Sequence, residues 1–337
     1  MLLRLIAFIS FFAVACSKPN SSTFKAYPKA SSWMGSSLNI IGGKTLKQLT
    51  LPGTHDSGAF WLSDTPLPGA DYACHNAFEI ISKETEQPMV TVMKPWELAQ
   101  DQNIYNQLVG GIRYIDLRAG YYNVTNTWVT FHYLIGSPII EILQNISQFL
   151  NDYPTEIVII EISHFDGYPT AQNIADLQQM TLNILGKFIY PVDLAFNFTI
   201  NDMINSGKRA IVTMESGYGN VIWPGDSIYN TYADSPVVKT MINFNTQTVA
   251  QYMNMTLPYQ IFKISWTLTP NDQTVIGTVK PKNPHTLIEL ADIANPYLPD
   301  FVNEMMAKRY QIGNILIIDH FESSAIMNVT YLMNGIS

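Results

Sequence analysis

The sequence predicts an α/β protein built as a single (β/α) barrel. Three observations predict it. Short apolar runs recur along the chain, and two of them, EIVIIEIS (156–163) and NILIIDHF (314–321), are apolar without alternation, as parallel strands covered on both faces should be. Amphipathic segments at 96–109, 138–151, 170–188, 235–254 and 285–308 separate most of these runs. The strand–helix units continue over about 300 residues with no internal repeat, which suits one barrel better than two small doubly wound halves.

Taken in order, the chain opens with MLLRLIAFISFFAVAC, one basic residue followed by an apolar run and an Ala13-Val14-Ala15 site. This reads as a secretory signal peptide over residues 1–15, because the run is too short to span a bilayer. Residues 16–32 form a polar linker, and the barrel occupies 33–337. Localisation is therefore expected to be extracellular or in the lumen of the secretory pathway. Six N-x-[ST] sequons, at Asn20, Asn123, Asn145, Asn197, Asn254 and Asn328, agree with a glycosylated secreted protein. The two cysteines, Cys16 and Cys74, could pair or Cys74 could stand free. A net charge of −8 argues against dependence on nucleic acid or on broad attraction to anionic membrane.

The strands carry their polar residues late. The first, QLTLPG (48–53), runs into Thr54-His55-Asp56-Ser57-Gly58, a stretch that makes a poor helix and buries little. In YIDLRAGY (114–121), Ile115 and Leu117 point one way, so Asp116 and Arg118 share the other face. His132 comes near the end of WVTFHYL (128–134), and RAIVTMES (209–216) is apolar until its last residues. Trp266 lies late in IFKISWTLT (261–269), and Asp319 follows the apolar part of NILIIDHF. In a parallel barrel these carboxyl-terminal ends converge on one mouth, where active sites are built.

Two histidines, an arginine and several carboxylates at one mouth suit acid–base cleavage of a phosphodiester. One imidazole takes a proton from a hydroxyl, and the other gives one to the departing oxygen. The guanidinium stabilises charge on the phosphate oxygens, while carboxylates fix the imidazole tautomers. No covalent enzyme nucleophile is needed, and no G-x-S-x-G or H-E-x-x-H motif is present.

LPGTHDSG, GIRYIDLRAGYY, FHYL, IVIIEISHF and ILIIDHF together resemble the X domain of phosphatidylinositol-specific phospholipase C. The likeness is greatest to the bacterial single-domain enzymes and to small eukaryotic proteins containing only that domain, and it covers roughly residues 33 to 325. It implies a distorted TIM barrel of the phospholipase C type. It further implies that His55 is the general base on the inositol 2-hydroxyl, paired with Asp319, and that His132 is the general acid, supported by Asp56. Arg118 would contact the phosphate with Asp116 beside it, and Glu161 and Trp266 would line the inositol pocket. The family's remaining basic pocket residues find no match.

The resemblance implies a phospholipid substrate met at a transient membrane interface, with Trp61 and Trp223 as candidate interfacial side chains. It implies no cofactor and no metal, since Arg118 stands where calcium-dependent members carry a carboxylate. The oligomeric state is open. The alternatives are a related barrel phosphodiesterase acting on glycerophosphodiesters or sphingomyelin, and a secreted binding module that has lost turnover.

Overall fold

In the computed structural model, which describes residues 28–71, 73–215, 217–279 and 283–336, the apolar runs become a curled sheet wrapped by helices. Its strands are β1 (Leu51–Thr54), β2 (Tyr114–Tyr122), β3 (Thr127–His132), β4 (Leu134–Pro138), β5 (Val158–Asp166), β6 (Ala210–Met214), β7 (Trp223–Pro224), β8 (Ile228–Thr231), β9 (Ile261–Trp266) and β10 (Ile315–Ile318). The order is β7-β6-β5-β2-β1-β10-β9-β8, every neighbouring pair in it running parallel. Among the described residues no pairing joins β7 to β8, so the barrel stays open along that seam.

Strand parity divides the core in two. Alternate side chains of a strand face opposite sides. Leu51, Tyr114, Ile159, Ile211, Ile261, Ile315 and Ile317 point inward and pack with Trp33 and Trp223 inside the barrel. The intervening residues, Ile115, Leu117, Ile160, Val212, Ile264 and Ile318 among them, pack outward against the helices. The interior is thus apolar at the amino-terminal end, and the same inward columns become polar toward the carboxyl-terminal end.

Local chemistry fixes the helices. Ile139–Asp152 buries Ile139, Ile142, Leu143, Ile146, Phe149 and Leu150, the spacing of one helical stripe. Ala171–Leu185 starts on a capping box between Thr170 and Asn173. Ile200–Ser206 has the same device in Thr199 and Asp202 and ends on Gly207 in the left-handed conformation.

Four expectations change. WVTFHYL is not a parallel barrel strand but the antiparallel β3, hairpinned onto β2 and followed by β4. Segment 96–109 is no single helix: the chain leaves Met89–Glu97 at Leu98, and a new helix, Ile104–Val109, starts on the Asn103 cap. Segment 285–308 divides at Asn295–Tyr297, where Pro296 cannot donate to a continuing helix. Within the polar linker, residues 28–32 are tied down. Ser31 is buried, and the buried Arg113 guanidinium donates to the Ala30 and Ser31 carbonyls while pairing with Glu156. The signal peptide at 1–15 and Cys16 lie outside the described residues.

Candidate active site

β1 ends where its neighbours stop pairing, and the chain turns over the mouth through His55, Asp56 and Ser57. Asp56 takes a positive φ of 41°, a conformation its short polar side chain tolerates. The turn is stapled to β2: Asp56 N–H donates to Asp116 Oδ2 at 3.2 Å and Ser57 N–H to the Asp116 carbonyl at 2.8 Å. Gln107 accepts from Thr54 Oγ1 and donates to the Ser57 carbonyl, and Gln100 Nε2 donates to the His55 carbonyl at 3.0 Å. Gly58 is required by close approach, because a Cβ there would sit 2.5 Å from Thr130 Cγ2 of β3.

β2 overruns the mouth as far as Tyr122, and β3 returns antiparallel with Thr130 opposite Ala119. Continuing that register puts His132 level with Leu117, beside Arg118 on the next residue of β2. An off-barrel hairpin therefore delivers the second histidine to the mouth.

The two imidazoles converge on one carboxylate. Nε2 of His55 and Nε2 of His132 each stand 3.5 Å from Oδ2 of Asp56. Arg118 Nε contacts the other oxygen, Oδ1, of the same group. Both Asp56 oxygens and Arg118 Nε are buried without an aligned hydrogen-bond partner, so charge rather than directed bonding holds them. The remaining ring nitrogens are fixed from behind. His55 Nδ1 is 2.9 Å from Asp319 Oδ1, and His132 Nδ1 is 2.8 Å from the Glu97 carbonyl oxygen. A carbonyl oxygen or a carboxylate can only accept, so both Nδ1 atoms carry the proton and both Nε2 atoms face the pocket.

Burial opposes charging His55, but Asp56, Asp319 and Asp116 outweigh it and raise its pKa to about 9. For Asp56, burial is outweighed by Arg118, His55, His132 and His164, which hold the carboxyl well below its ordinary range. Burial pushes the Glu97 carboxyl upward, partly offset by His132. Arg118 rises above its usual value because Asp56, Asp116, Glu97 and Asp319 more than cancel its desolvation.

Below the histidines, a cavity of about 380 Å³ descends between the inward columns of β2, β5, β8 and β9. Lys263 of β9 donates from Nζ to Glu161 Oε2 at 2.6 Å and to the Tyr114 hydroxyl at 2.8 Å, and Tyr114 also donates to Glu161. Burial and the adjacent Glu161 and Asp116 raise the Tyr114 hydroxyl well above its ordinary pKa.

The structure thus brings His55, Asp56, Asp116, Arg118, His132 and Asp319 together, with Glu161 on the pocket wall. It does not bring Trp266. On β9 the inward positions are Ile261, Lys263 and Ser265, so Trp266 faces out, packs against Phe301 with the rings tilted by 40° and donates to the Ala294 carbonyl. Trp223 is also misplaced as an interfacial residue, being fully buried with its ring N–H on the Tyr190 carbonyl. Trp61 is 54% exposed, as expected, and Tyr168 beyond β5 is 77% exposed. The missed residues are Lys263, Glu97, Gln100 and Gln107. Lys263 had a visible signal, a lysine inside an otherwise apolar strand. His55, Asp56 and Asp116 each offer a ligand atom within 4.8 Å of the others, a set that could in principle hold a cation, but the Arg118 guanidinium already neutralises Asp56 there.

Similarity to known proteins bears on this arrangement. No family model matches the chain. Zebrafish PI-PLC X domain-containing protein 3 is 25% identical over 329 residues, covering 93% of this chain and 96% of that protein. Mouse PI-PLC X domain-containing protein 2 is 26% identical over 268 residues, covering 76% of this chain and 75% of its own length. This chain is similar to the PI-PLC X-domain proteins. Among solved structures, the phosphatidylinositol-specific phospholipase C of Listeria monocytogenes superposes with a TM-score of 0.61 at 20% identity, covering 90% of this chain and 98% of that one. A Staphylococcus aureus phosphatidylinositol-specific phospholipase C gives 0.58 at 16% identity. Those two likenesses show the fold, a TIM barrel of the same kind.

Proposed function

We propose that this chain is a phosphodiesterase of the phosphatidylinositol-specific phospholipase C type, cleaving the bond between the glycerol oxygen and phosphorus without a metal ion. The observation that carries the reading is the convergence of two imidazole Nε2 atoms and one guanidinium on a single buried carboxylate. His55, its Nδ1 proton held by Asp319, takes the proton of the inositol 2-hydroxyl at Nε2 in its neutral form, so turnover should rise with pH until that form predominates near pH 9. That oxygen attacks phosphorus, and His132, its Nδ1 proton held by the Glu97 carbonyl, gives its Nε2 proton to the departing glycerol oxygen. Arg118 turns from Asp56 toward the phosphate and takes up the charge gathering on its oxygens. The products are diacylglycerol and a cyclic inositol phosphate.

The test is turnover of phosphatidylinositol, phosphatidylcholine and sphingomyelin vesicles by the purified protein in excess EDTA. Phosphatidylinositol should be cleaved, and His55→Ala and His132→Ala should each lose about 10²- to 10⁴-fold. Cleavage of phosphatidylcholine or sphingomyelin instead, or activity that needs added calcium or magnesium, would overturn the reading. We further propose secretion, supported by the apolar leader at 1–15. The protein recovered from culture medium should begin near Cys16, and a retained Met1 would refute it.

A further inference from the structure

Glu97 brings a carboxyl as well as a carbonyl to His132. Its backbone oxygen lies 2.8 Å from Nδ1 of the imidazole, and its own Oε2 lies 3.2 Å from the same nitrogen. The carbonyl alone suffices to fix the tautomer, so the carboxyl is surplus to that task. Nor does the fold call for it. Glu97 closes helix Met89–Glu97, where the unpaired carbonyls make a negative end that disfavours an acid. The side chain is also buried, which is costly for a carboxylate unless a cation is at hand. Among the groups that act on it, His132 is the foremost cation, with Arg118 behind, while Asp56 opposes its ionisation.

Two rear carboxyls thus frame the pair of histidines. His55 Nδ1 has Asp319 at 2.9 Å, His132 Nδ1 has Glu97 at 3.2 Å, and both rings aim Nε2 at Asp56. Asp56 is shared, with Arg118 on its other oxygen, and Asp116 acts on Arg118 and His55. A positive His132 therefore needs negative charge of its own, and a neutral carbonyl offers only a dipole. The reaction sharpens that need. The base must be neutral while the acid is charged, and the acid must keep its alignment as Arg118 leaves Asp56 for the phosphate. We propose that the Glu97 carboxylate is a positioning residue for the acid, holding His132 as an aligned imidazolium from behind the ring. It acts through His132 and not on substrate atoms. The inference rests on the acid role given to His132 under Proposed function.

Two water-soluble inositol phosphodiesters test it, one with butanol and one with 4-nitrophenol as the leaving alcohol. Butoxide leaves only with a proton, whereas 4-nitrophenolate leaves without one, so a defect confined to the acid shows on the butyl ester alone. Glu97→Gln keeps the backbone carbonyl and the side-chain shape and removes the charge. It should lower kcat on the butyl ester about 10- to 10²-fold, leave its KM unchanged, and change the nitrophenyl ester less than about threefold. Glu97→Asp, which keeps the charge but draws it back by one methylene, should show a smaller loss of the same kind, and it decides alone if Glu97→Gln fails to fold. Equal losses on both esters, or no loss on either, overturn the proposal. His132→Ala should show the same selectivity more strongly. If it does and the Glu97 variants do not, only the present inference fails. If His132→Ala slows both esters alike, the acid role fails and the inference falls with it.

Discussion

Asp319→Asn isolates the electrostatics of the proposed base. His55 is displaced from an ordinary 6.5 to about 9 although burial works against its charge, which corresponds to about 3 kcal/mol in favour of imidazolium. Asp56 acts from 3.5 Å without an aligned bond, whereas Asp319 acts from 2.9 Å and accepts a hydrogen bond as well. An opposite charge at that range moves a pKa by about 1–3 units, so the Asn variant should bring His55 down by about one to two units. The assay is an NMR titration of the His55 ring carbons in both proteins. Because the folded pKa is raised, the stability that His55 contributes is fully present below about 6.5 and fades as pH rises through about 9. The melting-temperature gap between wild type and variant should therefore be widest in mild acid and narrow toward pH 9.5. A wild-type His55 titrating near 6.5, or an unchanged value in the variant, would refute the reasoning.

Three further outcomes are expected. Lys263→Met leaves the Glu161 carboxylate with Tyr114 as its remaining donor on the pocket wall and should cost about 1–3 kcal/mol in denaturant unfolding, with Lys263→Met/Glu161→Gln recovering most of it; a single-variant loss below about 0.5 kcal/mol would show that the ion pair is dispensable. Arg118→Lys keeps the charge but loses the fork that can bond two phosphate oxygens, so turnover should fall about 10²-fold or more with folding unchanged, and near-normal kcat would remove Arg118 from the phosphate. Trp61→Ala with Tyr168→Ala should weaken action on vesicles and spare a water-soluble inositol phosphodiester, because exposed aromatic rings favour the lipid boundary; equal losses on both substrates would make them ordinary packing residues.

Much of the site was legible because strand parity is a strict rule. Asp116 and Arg118 could be set on one face by counting in twos, whereas Asp319 was placed by its lateness after an apolar run, with which the count from Ile315 and Ile317 agrees. Trp266 went wrong because lateness in the strand was read without that count, which puts Lys263 and not Trp266 in the pocket. His132 was placed at the mouth correctly but for an incomplete reason, since a hairpin and not a barrel strand brings it there. A turn signal was present in Thr125-Asn126, where Asn126 adopts a positive φ. The helices at 75–97 left little periodic trace. Pro88 stands between them, Pro95 lies inside the second, and each is only about two to three turns long. Glu97 and Gln100 act through tertiary hydrogen bonds, which no local pattern in the sequence announces.

The antiparallel hairpin has a consequence for how the site comes apart. His55 hangs from β1, which is hydrogen-bonded on both sides within the central sheet, while His132 rides on β3, held by β2 on one side and by the short β4 on the other. Peripheral hairpins open more often than central strands, in local excursions well below the free energy of global unfolding. Amide exchange should therefore be faster along 127–138 than along 51–54 or 315–318. Each such opening would detach the proposed acid while base, arginine and barrel stay assembled, so the site can lose half of its proton relay without the protein losing its fold.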